Sequence, residues 1–147
     1  VADSLSMRRA GSASESRAEK KEKQAMNWLW VALGGGLGAM ARYGLSGWLL
    51  HHSAQQKFPW PTFVVNVSGC LIAGLLFALA AKHDILSPNL RLFLFTGVLG
   101  GFTTFSAFGL ETLHLLKRGE MMTAAAYVLA SVLGGIAAIL LAYRFTA

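Results

Sequence analysis

The chain has 147 residues, of which 54% are hydrophobic and only 14% are charged, and its mean hydropathy is +0.50. Six of its thirteen Lys and Arg residues and four of its seven Asp and Glu residues precede Met26, so the remaining 122 residues carry only three acids. This shortage of charge excludes a soluble globular domain and indicates an integral membrane protein, and the single cysteine excludes an intrachain disulfide framework.

Residues 1–25 form a polar, charged stretch that precedes the apolar part of the chain. It contains no apolar segment followed by a small-residue cleavage site, so it does not resemble a secretory signal. We interpret it as a disordered or frayed-helical cytoplasmic tail, or as translation from upstream of the true start, because Met26 resembles a natural beginning. Residues 26–147 are predicted to form one membrane domain with four spans.

The first span is predicted at about 28–50, with tryptophans near both ends, where an aromatic belt meets the membrane surface. Gly34 and Gly38 are four residues apart, which is typical of a helix face that packs closely against a neighbour. Arg42 lies inside this span. Either it has a protein partner or water and a function, or its side chain reaches the membrane surface.

The second span is predicted at about 60–81, after a connector, 51–59, whose adjacent histidines we interpret as solvated rather than metal-binding. Asn66 is the strongly polar residue in the interior of this span. An amide in hydrocarbon must hydrogen-bond a neighbouring helix or line a wet path. Both interpretations of Asn66 remain open from the sequence.

The third span, at about 90–116, is longer than the ~20 residues that cross a bilayer. Its centre, Gly97–Phe108, has three glycines, two threonines and a serine, which disfavour a regular helix. A broken helix in hydrocarbon leaves backbone groups unpaired, so it persists only where those groups are buried in protein or bind something. Broken mid-membrane helices mark ion sites in transport proteins, and we expect one here.

Two further patterns follow the centre of the third span. Glu111 and His114 form an E-x-x-H pair, but the other carboxylates that a di-iron bundle requires are missing from every span. The fourth span, at about 121–143, places Tyr127, Ser131 and Gly135 on one face, as a thin polar and small stripe towards a neighbouring helix or a pore.

The charges between the spans give no orientation preference when the first 25 residues and Arg42 are left out. Three cations fall on each side: Lys82, Arg91 and Arg144 on the side of the N-terminus, and Lys57, Lys117 and Arg118 on the other. A small protein without bias can insert both ways and pair antiparallel with itself. The six cations of residues 1–25 would instead favour a cytoplasmic N-terminus, so the true start decides between the two.

Three motifs on three successive spans resemble the CrcB/Fluc fluoride channel family, in the family's order. They are GGGLGAMARY at 34–43, TFVVNVSG at 62–69 and GGFTTFSAF at 100–108. The resemblance covers essentially all of residues 26–147. It departs from the family pattern at Ala107, which replaces a frequent hydroxyl residue, and at Gly135.

The resemblance implies an all-α membrane protein with four transmembrane helices, the third broken mid-membrane, in an antiparallel dual-topology homodimer in the bacterial inner membrane. It implies passive fluoride conduction through two pores and a structural Na⁺ at the dimer centre, held by the backbone carbonyls of Gly100 and Thr103. The pore residues that it implies are Asn66, Thr104, Phe105, Ser106, Phe108, Tyr127 and Ser131. Arg42 is a possible vestibule or structural charge.

The chemistry of these residues agrees with that implication. Freed backbone carbonyls bind a hard cation without any carboxylate, as in a selectivity filter. Phenylalanine rings present a positive edge that contacts a small anion without trapping it, although ordinary helix packing is the plainer interpretation of Phe105 and Phe108. The amide of Asn66 and the hydroxyls replace part of the hydration shell of fluoride.

Two other functions remain as alternatives to a fluoride channel that relieves toxicity. A proton-coupled small multidrug exporter needs a membrane carboxylate, for which Glu111 is the only candidate in the spans. A non-transporting membrane assembly protein needs only the small-residue faces. An enzyme is not expected, because the spans hold no nucleophile–base pair and no complete metal set.

Overall fold

We describe the fold from a computed structural model, which covers residues 2–53, 55–83 and 86–146, with side chains from residue 16 onward except that of His83. The described residues are helical, with short connections. The elements in chain order are α1 (Ala2–Ser53), α2 (Trp60–His83), α3 (Pro88–Arg91), a π-helical segment (Leu92–Leu99), α4 (Gly100–Phe102), α5 (Phe105–Lys117) and α6 (Met121–Thr146). The predicted all-α class is confirmed.

Three helical stretches within the described residues are long and apolar enough to cross a membrane. They are Trp60–Lys82, Pro88–Lys117 and Met121–Thr146, at the predicted second, third and fourth spans. The predicted first span lies in α1, where glycines and Arg42 lower the local hydropathy, and it is not among the three. Four spans therefore remain a prediction.

Helix α1 is longer than the predicted first span at both ends. It runs back to Ala2, through the stretch predicted to be a tail. At the other end, the prediction that His51 and His52 lie in a loop is wrong. Both belong to the last turn of α1, where a nitrogen of His52 lies 2.8 Å from the Trp48 carbonyl and Ser53 Oγ donates to the Leu49 carbonyl.

Helix α1 packs against the π-helical segment and α4 through glycines that allow the two backbones to touch. A Cβ atom at Gly34 would lie 2.5 Å from the Phe93 carbonyl oxygen, and one at Gly38 would lie 2.8 Å from the Phe102 amide nitrogen. Real Cβ atoms do not approach backbone so closely. The predicted small-residue face of α1 is therefore the face that holds the third helix.

The chain leaves the helical conformation at two residues between α4 and α5. Thr103 has φ −80° and ψ 156°, and Thr104 has φ −147° and ψ 116°, so both are extended. Each threonine hydroxyl then serves a neighbouring helix: Thr103 Oγ1 donates to the Leu99 carbonyl, and Thr104 Oγ1 accepts from the Ala107 amide as the N-cap of α5. We call Thr103 and Thr104 the break.

Replacement of Gly38 by alanine should lower the free energy of unfolding by about 3 kcal/mol or more, because the new methyl group forces two backbones apart. The matched control is Gly36→Ala, two residues away in the same helix, where a Cβ atom meets nothing within 4 Å. That change should stabilise the helix by about 0.5–1 kcal/mol. Thermal unfolding in detergent measures both. Equal effects of the two substitutions would contradict the proposed contact.

Candidate functional site

Asn66 of α2 is bound to the break by two hydrogen bonds in opposite directions. Its Nδ2 donates to the Thr104 carbonyl over 3.0 Å, and its Oδ1 accepts from the Thr104 amide over 2.8 Å. The amide side chain thus pairs with an extended residue as a neighbouring strand would. In the structure, Asn66 stabilises the break directly, a role that the sequence did not distinguish from interhelical hydrogen bonding in general.

This pairing changes the hydrogen bonding of the Gly100 carbonyl. In a continuous α-helix the Thr104 amide would donate to Gly100, four residues earlier. Here that amide is taken by Asn66 Oδ1, whereas the preceding amide, that of Thr103, still donates to the Leu99 carbonyl over 3.0 Å. The helical partner of the Gly100 carbonyl is therefore used elsewhere, and its oxygen is left for another donor or a cation.

Arg42 of α1 binds α4, the short helix that precedes the break. Its Nε donates to the Gly101 carbonyl over 3.1 Å, and the side chain is partly buried. Of the two interpretations left open by the sequence, the structure supports the one with a protein partner. The guanidinium satisfies the carbonyl next to Gly100, just before the break. It leaves the carbonyls of Gly100 and Thr103, the predicted sodium ligands, for another donor or a cation.

A cavity of about 290 Å³ lies beside the break and collects most of the predicted pore residues. Its lining is mostly apolar with a few polar atoms. It is lined by Asn66, Cys70, Thr103, Thr104, Phe105, Phe108, Ser131 and Val132. Four predicted residues are outside this lining: Gly100, Arg42, Ser106, whose Oγ lies 3.3 Å from Thr104 Oγ1, and Tyr127.

Two features of this cavity suit a small anion. The rings of Phe105 and Phe108 have centroids 5.5 Å apart at 35°, so both contribute to the same wall. Ser131 Oγ is buried and has no hydrogen-bond partner among the described residues. A buried hydroxyl without a partner costs free energy, so an acceptor bound beside Ser131 would stabilise it.

Glu111 joins three helices in a way that the sequence did not predict. Thr62 Oγ1 of α2 and the Tyr127 hydroxyl of α6 each donate to its carboxylate over 2.7 Å. Tyr127 is fully buried, and its ring packs 5.1 Å from that of Phe108. The predicted polar stripe of α6 therefore splits: Tyr127 points to Glu111, and Ser131 lines the cavity. In the sequence, the one feature that pointed to this junction was that Glu111 is the only acid inside a predicted span.

Among the described residues, no three His, Cys, Asp or Glu side chains come together where they could hold a metal ion. In that part of the chain, a cation site would have to be built from backbone oxygens. The carbonyl of Gly100 fits this requirement, because carbonyl oxygens are ligands that hard cations prefer.

The comparisons with known proteins cover the residues that form this site. The family model described as "CrcB-like protein, Camphor Resistance (CrcB)" matches residues 29–143. A protein of Methylobacillus flagellatus named "Fluoride-specific ion channel FluC" is 55% identical over 106 residues, which is 72% of this chain and 83% of that protein. A protein of the same name in Paracoccus denitrificans is 50% identical over 77% of this chain and 88% of that protein. Another, in Flavobacterium psychrophilum, is 44% identical over 74% of this chain and 87% of that protein.

Proposed function

Because this chain belongs to the CrcB family, whose curated members are named fluoride-specific ion channels, we propose that it is a fluoride-selective passive channel that lowers cytoplasmic fluoride. The family is one of ion channels and not of enzymes. Hydrofluoric acid crosses membranes as a neutral molecule and ionises inside, so a passive anion pathway is enough to let trapped fluoride leave.

The observation that carries this proposal is the free hydroxyl of Ser131 in the cavity walled by Phe105 and Phe108. Fluoride accepts hydrogen bonds strongly, so the Ser131 hydroxyl and the amide of Asn66 replace part of its hydration shell. The positive edges of the two rings supply weak attraction on the remaining sides. Binding of this kind removes water from the ion and still allows release, as conduction requires.

The cavity is incomplete in one copy of the chain, which supports the predicted antiparallel homodimer. Phe105 is 83% exposed although it lines the cavity. In a bilayer an uncovered cavity beside Phe105 would be exposed to lipid, and lipid would exclude a hydrated anion. A second copy placed over Phe105 closes it, and the equal loop charges allow the two copies to lie in opposite orientations.

The predicted structural Na⁺ is compatible with this antiparallel homodimer. We place it on the Gly100 and Thr103 carbonyls of each copy, near the dimer centre. The support is the diversion of the Thr104 amide to Asn66, which leaves Gly100 without its helical donor. The Na⁺ would lower the cost of burying these oxygens and is not transported in this proposal.

The two alternatives have less support from the structure. An exporter needs a carboxylate that alternates between a proton and a cationic drug, but Glu111 is held by the hydroxyls of Thr62 and Tyr127. A purely structural assembly protein does not account for the fluoride-channel name that the relatives carry. The multi-pass location follows from the apolar helices, and the bacterial inner membrane is part of our proposal.

Efflux from liposomes tests the proposal. Purified protein is reconstituted into vesicles loaded with potassium fluoride or potassium chloride, and a potassium ionophore starts the efflux, which an ion-selective electrode records. We expect rapid fluoride release, no chloride release above empty vesicles, and slower fluoride release after Na⁺ is removed from both sides. Equal release of both anions, or no release of either, would overturn the channel; indifference to Na⁺ would overturn the cation site alone.

A further inference from the structure

A second cavity, of about 210 Å³, lies at the C-terminal end of α5, between that helix, the end of α1 and the connector to α2. Its lining includes four ionisable side chains: Lys57, Glu111, His114 and Arg118. Lys117 lies next to them, because it lines an adjoining hollow together with His114 and Arg118. The proposed pore does not use Lys57, His114, Lys117 or Arg118.

The charges at this cavity do not cancel. Lys57 Nζ is paired with Glu120 at 2.5 Å, so these two neutralise each other. Glu111 contributes a negative charge, and Lys117 and Arg118 contribute two positive charges for which the described residues show no ion-pair partner. The net charge at this end is positive in spite of Glu111.

A chain of side-chain contacts links this cavity to the one beside the break, although the two share no lining residue. Glu111 lines it and binds the hydroxyl of Tyr127, and the Tyr127 ring packs against Phe108. Phe108 in turn lines the cavity that holds Ser131. If the proposed pore opens at this end of α5, an anion that enters it passes Glu111, and a carboxylate at that point repels the anion unless positive charge lies nearby.

We propose that Lys117 and Arg118 form a fluoride-recruiting site at this mouth, which offsets Glu111 and raises the local fluoride concentration. The proposal rests on the channel function proposed above. Clefts lined by one sign of charge concentrate ions of the opposite sign and speed their arrival, and salt screens the effect. Cations at a helix C-terminus also stabilise the helix dipole, a purely structural role that would change stability but not the salt dependence of flux.

The test is the double variant Lys117→Gln with Arg118→Gln, reconstituted in vesicles as full-length protein. With fluoride well below saturation and little added salt, we expect its fluoride flux to be about five- to tenfold below wild type. The difference should shrink to less than about twofold in roughly 1 M potassium sulfate, where the Debye length is about 3 Å or less. The charge-conserving double variant Lys117→Arg with Arg118→Lys should conduct like wild type at both salt concentrations.

The matched control is Lys20→Gln with Lys21→Gln, which removes the same charge from an exposed part of α1 that lines neither cavity. It should behave like wild type. The proposal is overturned if the mouth variant equals this control, or if its loss of flux is the same at both salt concentrations. A wild-type protein that releases no fluoride would instead contradict the channel itself.

Discussion

Phe105→Ile should lower fluoride flux at least tenfold, which corresponds to about 1.4 kcal/mol of barrier, while the protein assembles and unfolds like wild type. The reason is electrostatic: isoleucine keeps the bulk of the side chain but removes the positive ring edge that attracts the anion. Because Phe105 is 83% exposed in a single copy, the change creates no cavity within that copy. Electrode recordings from proteoliposomes measure the flux, and size-exclusion chromatography measures assembly.

The matched control for this change is Leu110→Ile, on the same helix and 59% exposed, which lines neither cavity. It should conduct like wild type. Phe108→Ile should also lower flux, but it removes the ring contact with Tyr127, so a loss of stability accompanies it. Full fluoride flux in correctly assembled Phe105→Ile protein would refute the role of this ring in the pore.

Asn66→Ala should cost about 2–4 kcal/mol of unfolding free energy and abolish fluoride flux. The substitution removes both hydrogen bonds to Thr104 and leaves a backbone amide and a carbonyl unpaired in a partly buried place, at about 1–3 kcal/mol for each group. The Thr104 amide is then free to return to Gly100, which would repair the helix and close the proposed cation site. Thermal unfolding measures the loss of stability, proteoliposome recordings measure the loss of flux, and the Na⁺ dependence of thermal unfolding measures the loss of the cation site.

Two further variants separate the roles of Asn66. Asn66→Asp keeps an acceptor for the Thr104 amide but, when ionised, offers no donor to the Thr104 carbonyl. We expect it to lose flux and to keep the Na⁺ dependence of thermal unfolding. Ser68→Ala is the control, since Ser68 Oγ donates only to the Val65 carbonyl of its own helix. If Asn66→Ala protein unfolds and conducts as wild type does, the hydrogen bonds between Asn66 and Thr104 contribute neither to stability nor to conduction.

The sequence indicated the helical class and the membrane location because both follow from summed properties, namely the scarcity of charge and the length of the apolar runs. It also indicated that Gly34 and Gly38 face a close neighbour, because four-residue spacing places them on one side of a helix. What it could not indicate was the partner of each polar group. The bonds from Asn66 to Thr104 and from Arg42 to Gly101 join helices far apart in the chain, and no local pattern encodes such pairs.

The π-helical segment and the three-helix junction at Glu111 were missed for related reasons. A π-helix forms when packing or polar contacts favour i→i+5 hydrogen bonds, and Leu92–Leu99 carries no residue pattern that distinguishes it from an α-helix. Glu111 stood out only as an isolated acid, and its two donors lie on other helices. The error at His51 and His52 arises because polar residues near a helix terminus are compatible with either helix or loop.

The glycine contacts between α1 and the third helix have a consequence for control of the proposed channel. Backbones in direct contact leave little slack, so the break is held in one place and does not slide along the helix. In the proposed channel we therefore expect no gate at the break. Discrimination against chloride then has to be continuous, since any lapse would discharge the membrane potential on which the cell depends.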